Sequence, residues 1–484
     1  MAVSQDRRGV DEGSSPATDV FGPAGSGVTD ITARARQSKG EFVRSQVQVA
    51  RWSENTTGKL MYAFEALEAF GWSTLAQLAD KRAATVVEDG CEAAIVLRTR
   101  REAMALSIQQ VAKQAGLAEA DVRLAEAGTR KTPIRVLLKL TQALALDHYR
   151  IGTSMGGGGD PALGVRLREA HGGPGSMSAA VVLGLAEAAW VIATQSRLER
   201  WLDGSRTGVP TRLGFAPMPM REVRRPAWRE GMDLAHRARE LLDIGQDGPI
   251  RGLMALLGDR LAIPVVQVDL PGRFAGATIA NGSARGVAVN VNGINENVWT
   301  RRMTVTHELG HLLWDSDEDL NRLRVDKGDA IEGDPQRPAD RVETRANAFA
   351  AEFLAPQAAV ARLFAEAGRG PAAVSMVMQR FGISFTAAKW QIHNGLGRLA
   401  DKPDLRSVPG TRPSDAWEAD ETSTGAFFVL KETPIPRRGR FAELCLEAYD
   451  QHLISPDTAA DHLGTDPATF LEKVQELRSL FARP

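Results

Sequence analysis

Two histidines four residues apart could hold one metal ion in the second half of the chain. They belong to the segment His307-Glu308-Leu-Gly-His311, which we expect to be helical. Residues four apart share one face of a helix, so both imidazole rings can reach the same ion. The glutamate between them can act as a general base on water. The spacing therefore predicts a metal-dependent hydrolytic site with Glu308 as its catalytic residue.

A third metal ligand must come from outside this segment, because zinc hydrolase sites usually have three protein ligands. Asp317 follows His311 by six residues, but that geometry normally needs a glycine turn and Trp314 stands in its place. Glu343 is the other candidate. It shares one face of a later helix with small residues, which would let that helix approach the histidine helix closely. Glu352 lies off that face, so the pattern favours Glu343.

These residues and their neighbours resemble the ImmA/IrrE family of metallopeptidases. After His-Glu-Leu-Gly-His, the chain has Glu343-x-x-Ala-Asn-x-Phe-Ala and a Leu-x-Pro sequence that ends at Pro356. Val-Ala-Val-Asn290 upstream and Phe-Gly-Ile-Ser384 downstream fit the same pattern. The resemblance extends over residues 230–398.

The resemblance implies a zincin-like fold in which His307, His311 and Glu343 hold zinc and Glu308 is the base. The same ligand types also accept manganese or iron. Members of the family cleave a repressor, often a helix-turn-helix protein, and so switch on phage, mobile-element or stress genes. We therefore expect a protein substrate, such as a repressor or a toxin-system partner.

Two further roles in the site need candidates. All three tyrosines lie outside residues 230–398, so a tyrosine from this segment cannot stabilise the oxyanion of the transition state. His393 and Arg345 are the candidates for that role, and a structural role is the alternative for His393. We also expect the strand Val287-Ala-Val289 to bind the substrate by edge pairing.

A second group of helices, within residues 97–146, has the spacing of a helix-turn-helix. Ser107 to Gly116 predicts a short helix with a glycine turn, and Ala118 to Gly128 predicts the helix that follows. The segment resembles the Xre/lambda-repressor-type domain; a helix bundle that binds protein is the alternative. Across residues 91–150, Lys and Arg outnumber Asp and Glu by ten to six. The candidate DNA contacts are Arg98, Arg101, Asp121, Arg123, Arg130 and Lys131.

Length and composition predict a protein of several domains. A chain of 484 residues is too long for one core, and its net charge of −1 argues against a uniformly basic coat for nucleic acid. Two cysteines fit a reducing compartment. The N-terminus lacks the apolar segment of a signal peptide, and the apolar run Ala179–Thr194 is short for a membrane span. We expect a cytoplasmic protein that could form a homodimer.

The predicted fold is multidomain and mainly α, with an α+β zincin-like metallopeptidase domain and an N-terminal all-α helix-turn-helix domain. The predicted units are a disordered tail (1–38), a helical N-terminal segment (39–90), the helix-turn-helix domain (91–152), a helical connector (160–228), the metallopeptidase domain (229–399), a linker (400–437) and a small helical C-terminal unit (438–484).

The function that these features predict is a DNA-binding regulator with a zinc-dependent, site-specific metalloendopeptidase domain. Its partners would be double-stranded DNA and a regulatory protein that it cleaves to control gene expression. The alternative is a non-catalytic transcriptional regulator or antitoxin-like protein, whose metal domain senses a signal or binds a partner. Replacement of Glu308 by glutamine separates the two, because only a peptidase needs this carboxylate.

Overall fold

Two four-stranded sheets and a larger number of helices form the part of the chain that the structure describes. The structure is a computed structural model. Apolar side chains are buried in two clusters, which lie on opposite faces of the second sheet. The described residues are 16–23, 30–87, 89, 91–151, 162–169, 177–203, 226–271, 274–321, 323–327, 341–396, 410–421 and 428–482.

The helices of the first half surround the first sheet or follow it. They are α1 (Pro16–Phe21), α2 (Ile31–Gln37), α3 (Ala63–Phe70), α4 (Trp72–Leu75), α5 (Cys91–Ala103), α6 (Ile108–Ala115), α7 (Glu119–Ala127), α8 (Ile134–Ala143), α9 (Leu163–Glu169) and α10 (Ala179–Asp203).

The helices of the second half surround the second sheet and end the chain. They are α11 (Ala227–Leu241), α12 (Leu253–Ala255), α13 (Val298–Trp314), α14 (Asp317–Leu320), α15 (Arg341–Leu354), α16 (Gln357–Glu366), α17 (Pro371–Phe381), α18 (Phe385–Gly395), α19 (Asp415–Glu421), α20 (Arg440–Asp450), α21 (Pro456–Leu463) and α22 (Pro467–Phe481).

The first sheet is antiparallel and has the strand order β3-β1-β2-β4. Its strands are β1 (Glu41–Arg44), β2 (Gln48–Arg51), β3 (Lys59–Tyr62) and β4 (Ala83–Thr85). The prediction of a helical segment over 39–90 is therefore wrong in part. Leu60 and Tyr62 were expected in a helix, but pairing of β3 with β1 holds them extended, and α3 begins only at Ala63.

Part of the predicted N-terminal tail is ordered. Helix α1 buries Val20 and Phe21, and the Phe21 ring lies 5.6 Å from the Trp72 ring. Asp30 is the N-cap of helix α2, and its side chain accepts a hydrogen bond from the Ala33 backbone N–H. The prediction of disorder is wrong for these two helices, since their apolar residues find a partner in the first sheet. Residues 1–15 and 24–29 of that tail lie outside the described residues.

Helices α5 to α8 occupy the segment predicted to bind DNA. Ser107 caps α6 in a reciprocal pair of hydrogen bonds with Gln110, and Gly116 ends that helix at φ +60°. Three residues, the first of them Gly116, separate α6 from α7, which ends at Gly128, also at positive φ. The helices and the glycine turn predicted here are present. That they form a DNA-reading domain stays a prediction.

The second sheet lies between two long helices. Its strands β5 (Val265–Val268), β6 (Phe274–Asn281), β7 (Ala284–Asn290) and β8 (Arg324–Lys327) have the order β5-β7-β6-β8. Helix α10 packs on one face and α13 on the other. A Cβ atom on Gly286 would lie 2.8 Å from a side-chain carbon of Ile192, so glycine lets α10 approach β7. Helix α10 is thus a core helix, although residues 160–228 were predicted to form a connector.

One described helix, Ala179–Leu202, is long and apolar enough to cross a membrane by length and composition. The sequence prediction treated its apolar run as too short. In the structure, 67% of its most apolar window is buried inside the protein. This burial accounts for its composition, because the helix packs against both the second sheet and the C-terminal helices.

The C-terminal segments belong to the two cores. Residues 400–437 were predicted as a linker, but α19 inserts the fully buried Trp417 beside the start of α13. Its last residue, Glu421, pairs with the buried Arg302 of α13. The helices of the predicted C-terminal unit share the core of the first sheet, where the Ser455 backbone N–H donates to Glu65 at 3.0 Å. These contacts are between residues far apart in sequence, so composition alone could not show them.

Replacing Glu421 with alanine should lower the free energy of unfolding by about 3–5 kcal/mol, because the Arg302 guanidinium would stay buried without its carboxylate. Glu418→Ala is the control. The Glu418 side chain is 46% exposed and lies 3.7 Å from Arg301, so its loss should change the free energy of unfolding by less than about 1 kcal/mol. Urea denaturation followed by tryptophan fluorescence measures both variants. Equal losses of unfolding free energy in the two variants would contradict a stabilising role for the buried Arg302–Glu421 pair.

Candidate metal centre

Helices α13 and α15 run antiparallel in close contact and carry the residues of the predicted site. Helix α13 begins at Asn297, whose side chain accepts a hydrogen bond from the Trp299 backbone N–H. From there to Trp314 it is buried almost throughout, between the second sheet and α15. The predicted catalytic helix is therefore a core helix.

Three predicted ligands converge on one point. His307 Nε2 lies 3.1 Å from His311 Nε2 and 3.2 Å from Glu343 Oε2, and His311 Nε2 lies 3.5 Å from the same oxygen. A tetrahedral zinc site with bonds of about 2.0–2.1 Å needs ligand atoms about 3.3–3.4 Å apart. The measured separations match this requirement. The donor set, two imidazoles and one carboxylate, is also one that zinc accepts in catalytic sites.

The other ring nitrogen of each histidine is held by a neighbouring oxygen. His307 Nδ1 lies 2.9 Å from Asn347 Oδ1, and His311 Nδ1 lies 2.8 Å from Asp315 Oδ2. A neutral imidazole that donates from Nδ1 keeps its Nε2 lone pair for an ion. Both rings are therefore oriented to place their Nε2 atoms at the candidate site.

Arg345 contacts Asp315, the residue that holds the ring of His311. It is buried, it donates to the Asp315 carboxylate, and its other terminal nitrogen lies 3.4 Å from Glu230 of α11. The guanidinium is thus held between two carboxylates inside the protein. The prediction that Arg345 stabilises an oxyanion does not fit this position. Its contacts instead fix Asp315, and through Asp315 the ring of His311.

The electrostatic surroundings favour a positive charge among the three ligands. Burial disfavours protonation of His311, but hydrogen bonds to Asp315 and Glu343 outweigh burial and raise the pKa of His311 to about 9. Burial would also raise the pKa of Glu343, but its hydrogen bonds to His307 and His311 lower that pKa well below its ordinary value. A carboxylate that stays ionised and imidazoles in a negative field suit a divalent cation.

Glu308 is buried on the face of α13 that meets strand β6. The Thr278 hydroxyl donates to Glu308 Oε2 at 2.6 Å. A Cβ atom on Gly276 would lie only 3.0 Å from Glu308 Oε1 and 2.6 Å from Thr304 Cγ2. The glycine therefore leaves room for the carboxylate.

Two predicted residues of the site lie elsewhere. Asp317 is exposed at the start of α14 and is absent from the group of converging ligands in the described part of the chain. His393 lies in the last turn of α18. His393 is also absent from the group of converging ligands among the described residues. Its oxyanion role stays a prediction.

The strand predicted to bind the substrate by edge pairing is not at an edge of the sheet. Strand β7, which contains Val287-Ala-Val289, pairs with β5 on one side and β6 on the other. Its backbone groups are thus already used within the sheet, so the prediction that this strand adds an extended substrate is wrong. The sheet edges are β5 and β8, and β5 packs against a short 3-10 helix at Ile435–Arg437.

The sequence prediction missed three supporting residues, for different reasons. Asp315 follows His311 by four residues, so helical spacing could have revealed it. Asn347 is the asparagine of the motif that begins at Glu343, but its hydrogen bond to His307 was not predicted. Thr278 carries a hydroxyl group in an otherwise apolar part of β6. Its position next to α13 depends on strand pairing, which a local sequence pattern does not reveal.

The candidate DNA contacts divide into internal and exposed residues. Arg101 binds the Glu126 carboxylate of α7 through two nitrogens at 2.7 and 2.8 Å, and its side chain is only 13% exposed. It joins α5 to α7, so its position is that of a structural residue rather than of a DNA contact. Arg98 is exposed and donates to the Glu126 backbone carbonyl.

The remaining candidates lie on or just after α7. Arg123 is exposed and pairs with Glu119 at 2.9 Å, while Asp121 is half-buried. Arg130 and Lys131 are exposed in the loop that follows. The outer surface of α7 is therefore mixed in charge, and most of its positive charge comes from the adjacent loop.

Comparison with known protein families gives one match. Residues 293–393, about a fifth of the chain, match the family model described as Peptidase_M78, IrrE N-terminal-like domain. The matched segment includes α13 and α15 with all three converging ligands. No curated protein matches the chain. The match indicates a metallopeptidase-like function for this segment, in agreement with a possible His-His-Glu metal site.

Replacing Glu343 with glutamine should weaken zinc binding by at least about 100-fold, because it removes the anionic ligand while preserving the size of the side chain. Asp317→Asn is the matched control, since it makes the same chemical change at the rival position. Zinc affinity is measured by competition with a chromophoric chelator, and circular dichroism checks the fold. Weaker binding in Asp317→Asn, with normal binding in Glu343→Gln, would reverse the assignment.

Proposed function

We propose that this protein is a zinc-dependent endopeptidase that cleaves a regulatory protein and also binds double-stranded DNA. The observation that carries the peptidase assignment is the convergence of His307, His311 and Glu343, with donor atoms 3.1–3.5 Å apart, next to the buried Glu308. Zinc is the ion we assign, and manganese or iron are the alternatives for the same donors.

The ion would polarise the scissile carbonyl and lower the pKa of a water molecule toward neutrality. His307, His311 and Glu343 would hold it through Nε2, Nε2 and Oε2. Glu308 takes the proton from the attacking water as the new C–O bond forms. It then gives this proton to the amine nitrogen as the peptide C–N bond breaks, so the carboxylate is regenerated.

The substrate we propose is a repressor or a toxin-system partner rather than bulk peptide. The support for this choice is the group of helices α5–α8, which has the spacing of a helix-turn-helix. A DNA-binding region in the same chain would raise the concentration of the peptidase near promoter-bound proteins. DNA binding and cleavage would then serve one regulatory purpose.

Replacing Glu308 with glutamine should abolish cleavage, with a loss of about 100-fold or more, because the amide cannot accept the proton. Parent and variant, both loaded with zinc, are added to an extract of the host cell, and new protein N-termini are labelled and identified. We expect termini that form with the parent and not with Glu308→Gln. Zinc content and circular dichroism should be the same in both proteins.

The same variant distinguishes the peptidase from the alternative, a non-catalytic regulator. A non-catalytic regulator would retain its effect on gene expression when Glu308 is glutamine, because metal binding and fold are preserved. If the parent generates no new termini and the variant regulates normally in cells, the peptidase proposal is wrong.

The surface that we propose for DNA consists of the exposed residues Arg98, Arg123, Arg130 and Lys131. These side chains lie on α5, on α7 and in the loop after α7. Cations at these positions would contact phosphates, while α7 enters the major groove. Glu119 and Asp121 on α7 limit this attraction, so the loop cations should supply much of the salt-dependent binding.

Replacing both Arg130 and Lys131 with glutamate should weaken binding to a mixed-sequence DNA duplex and lower the slope of log affinity against log salt by about 2. The control, Arg369→Glu with Arg380→Glu, makes the same charge change at exposed positions in the peptidase segment. Fluorescence anisotropy across a salt series measures both. Equal effects of the two double variants, or no binding by the parent, would overturn the proposed DNA surface.

A further inference from the structure

Strand β6 presents one hydroxyl group to the catalytic helix. All eight residues of β6, from Phe274 to Asn281, are buried. Ala277 and Ile279 join the core on the α10 side of the sheet, whereas Thr278 meets α13 on the other side. Thr278 is 4% exposed, and its hydroxyl lies 2.6 Å from Glu308 Oε2. This distance is that of a hydrogen bond to an ionised carboxylate.

We propose that Thr278 is a positioning residue for Glu308. This inference rests on the proposed peptidase function. A glutamate side chain has three rotatable bonds, and a short hydrogen bond to one carboxylate oxygen restricts rotation about the last of them. The Thr278 hydroxyl holds Oε2, and so fixes the plane of the carboxylate against α13.

Gly276 completes this arrangement two residues earlier on the same face of β6. A side chain at Gly276 would press on Glu308 Oε1 at 3.0 Å and on Thr304 at 2.6 Å. The strand thus holds one carboxylate oxygen with a hydroxyl group and leaves space at the other.

The pairing of β6 gives the hydroxyl a fixed position. Thr278 is in register with Val287 of β7 and with Arg324 of β8, so it is paired on both sides. Its β-branched side chain also has restricted rotation about χ1. The sheet therefore gives the hydroxyl that contacts Glu308 a fixed position.

A purely structural role is the competing explanation, because a buried hydroxyl needs a hydrogen-bond partner wherever it lies. The two roles differ in what the loss of the hydroxyl changes. A structural hydroxyl affects stability alone. A positioning hydroxyl also changes the orientation of Glu308 and the rate of the chemical step, and serine should restore both.

The test compares Thr278→Val, which keeps the shape and removes the hydroxyl, with Thr278→Ser, which keeps the hydroxyl. Thr304→Val is the matched control. Thr304 is a buried threonine on α13, and its hydroxyl donates to Asn295 at 3.0 Å rather than to Glu308. All four proteins are loaded with zinc, and zinc content is measured in each.

Crystal structures give the first readout. We expect Glu308 in a single orientation in the parent, Thr278→Ser and Thr304→Val, and in a different or divided orientation in Thr278→Val. The second readout is cleavage of a synthetic peptide that spans the site found by N-terminal labelling. For Thr278→Val we expect kcat to fall about 10- to 100-fold with little change in KM, which is the effect of one charge-assisted hydrogen bond.

An unchanged Glu308 orientation in Thr278→Val, or a kcat within twofold of the parent, would overturn the inference. So would a Thr278→Ser variant as impaired as Thr278→Val. Absence of cleavage by the parent itself would instead contradict the proposed function. The crystallographic readout would then still decide whether Thr278 orients Glu308, so the two failures can be told apart.

Discussion

The close approach of helices α13 and α15 is the constraint on which the candidate site depends. Two ligands come from α13 and the third, Glu343, comes from α15. A Cβ atom on Gly310 would lie 2.9 Å from a ring carbon of Phe349 and 3.6 Å from Ala346 Cα. A larger residue would therefore force the helices apart. Because one residue advances a helix by about 1.5 Å, even a small slip would move Glu343 away from the histidines.

Polar contacts then fix the register of the two helices. The Asn347 side chain of α15 holds the ring of His307 on α13. The Arg345–Asp315 pair joins α15 to the residue that follows α13. Gly231 brings α11 against α15, since a Cβ atom there would lie 2.3 Å from the Arg345 carbonyl oxygen. Buried charges cost free energy unless they are paired. The network therefore makes other registers of α13 and α15 unfavourable as well as stabilising the observed one.

The sequence predicts what depends on local spacing and misses what depends on distant pairing. His307 and His311 follow from a four-residue interval, and Glu343 follows from a helical face. Strand β3 was expected to be helical, because its pairing with β1 is invisible in a local apolar pattern. Thr278 was missed for the same reason, since only sheet pairing brings it to Glu308. The residues that carry chemistry were thus easier to find than those that orient them.

The segment predicted to bind DNA is connected to the second sheet through α9 and α10. Gln114 of α6 and Arg437 each bond the Glu187 carboxylate of α10 at 3.0 Å. Arg166 of α9 donates to the Ala280 carbonyl of β6 at 2.9 Å, two residues along the strand from Thr278. Domains on a flexible linker would influence each other only through local concentration. Here hydrogen bonds through α10 and α9 also join the two regions, so their separation does not depend on a linker alone.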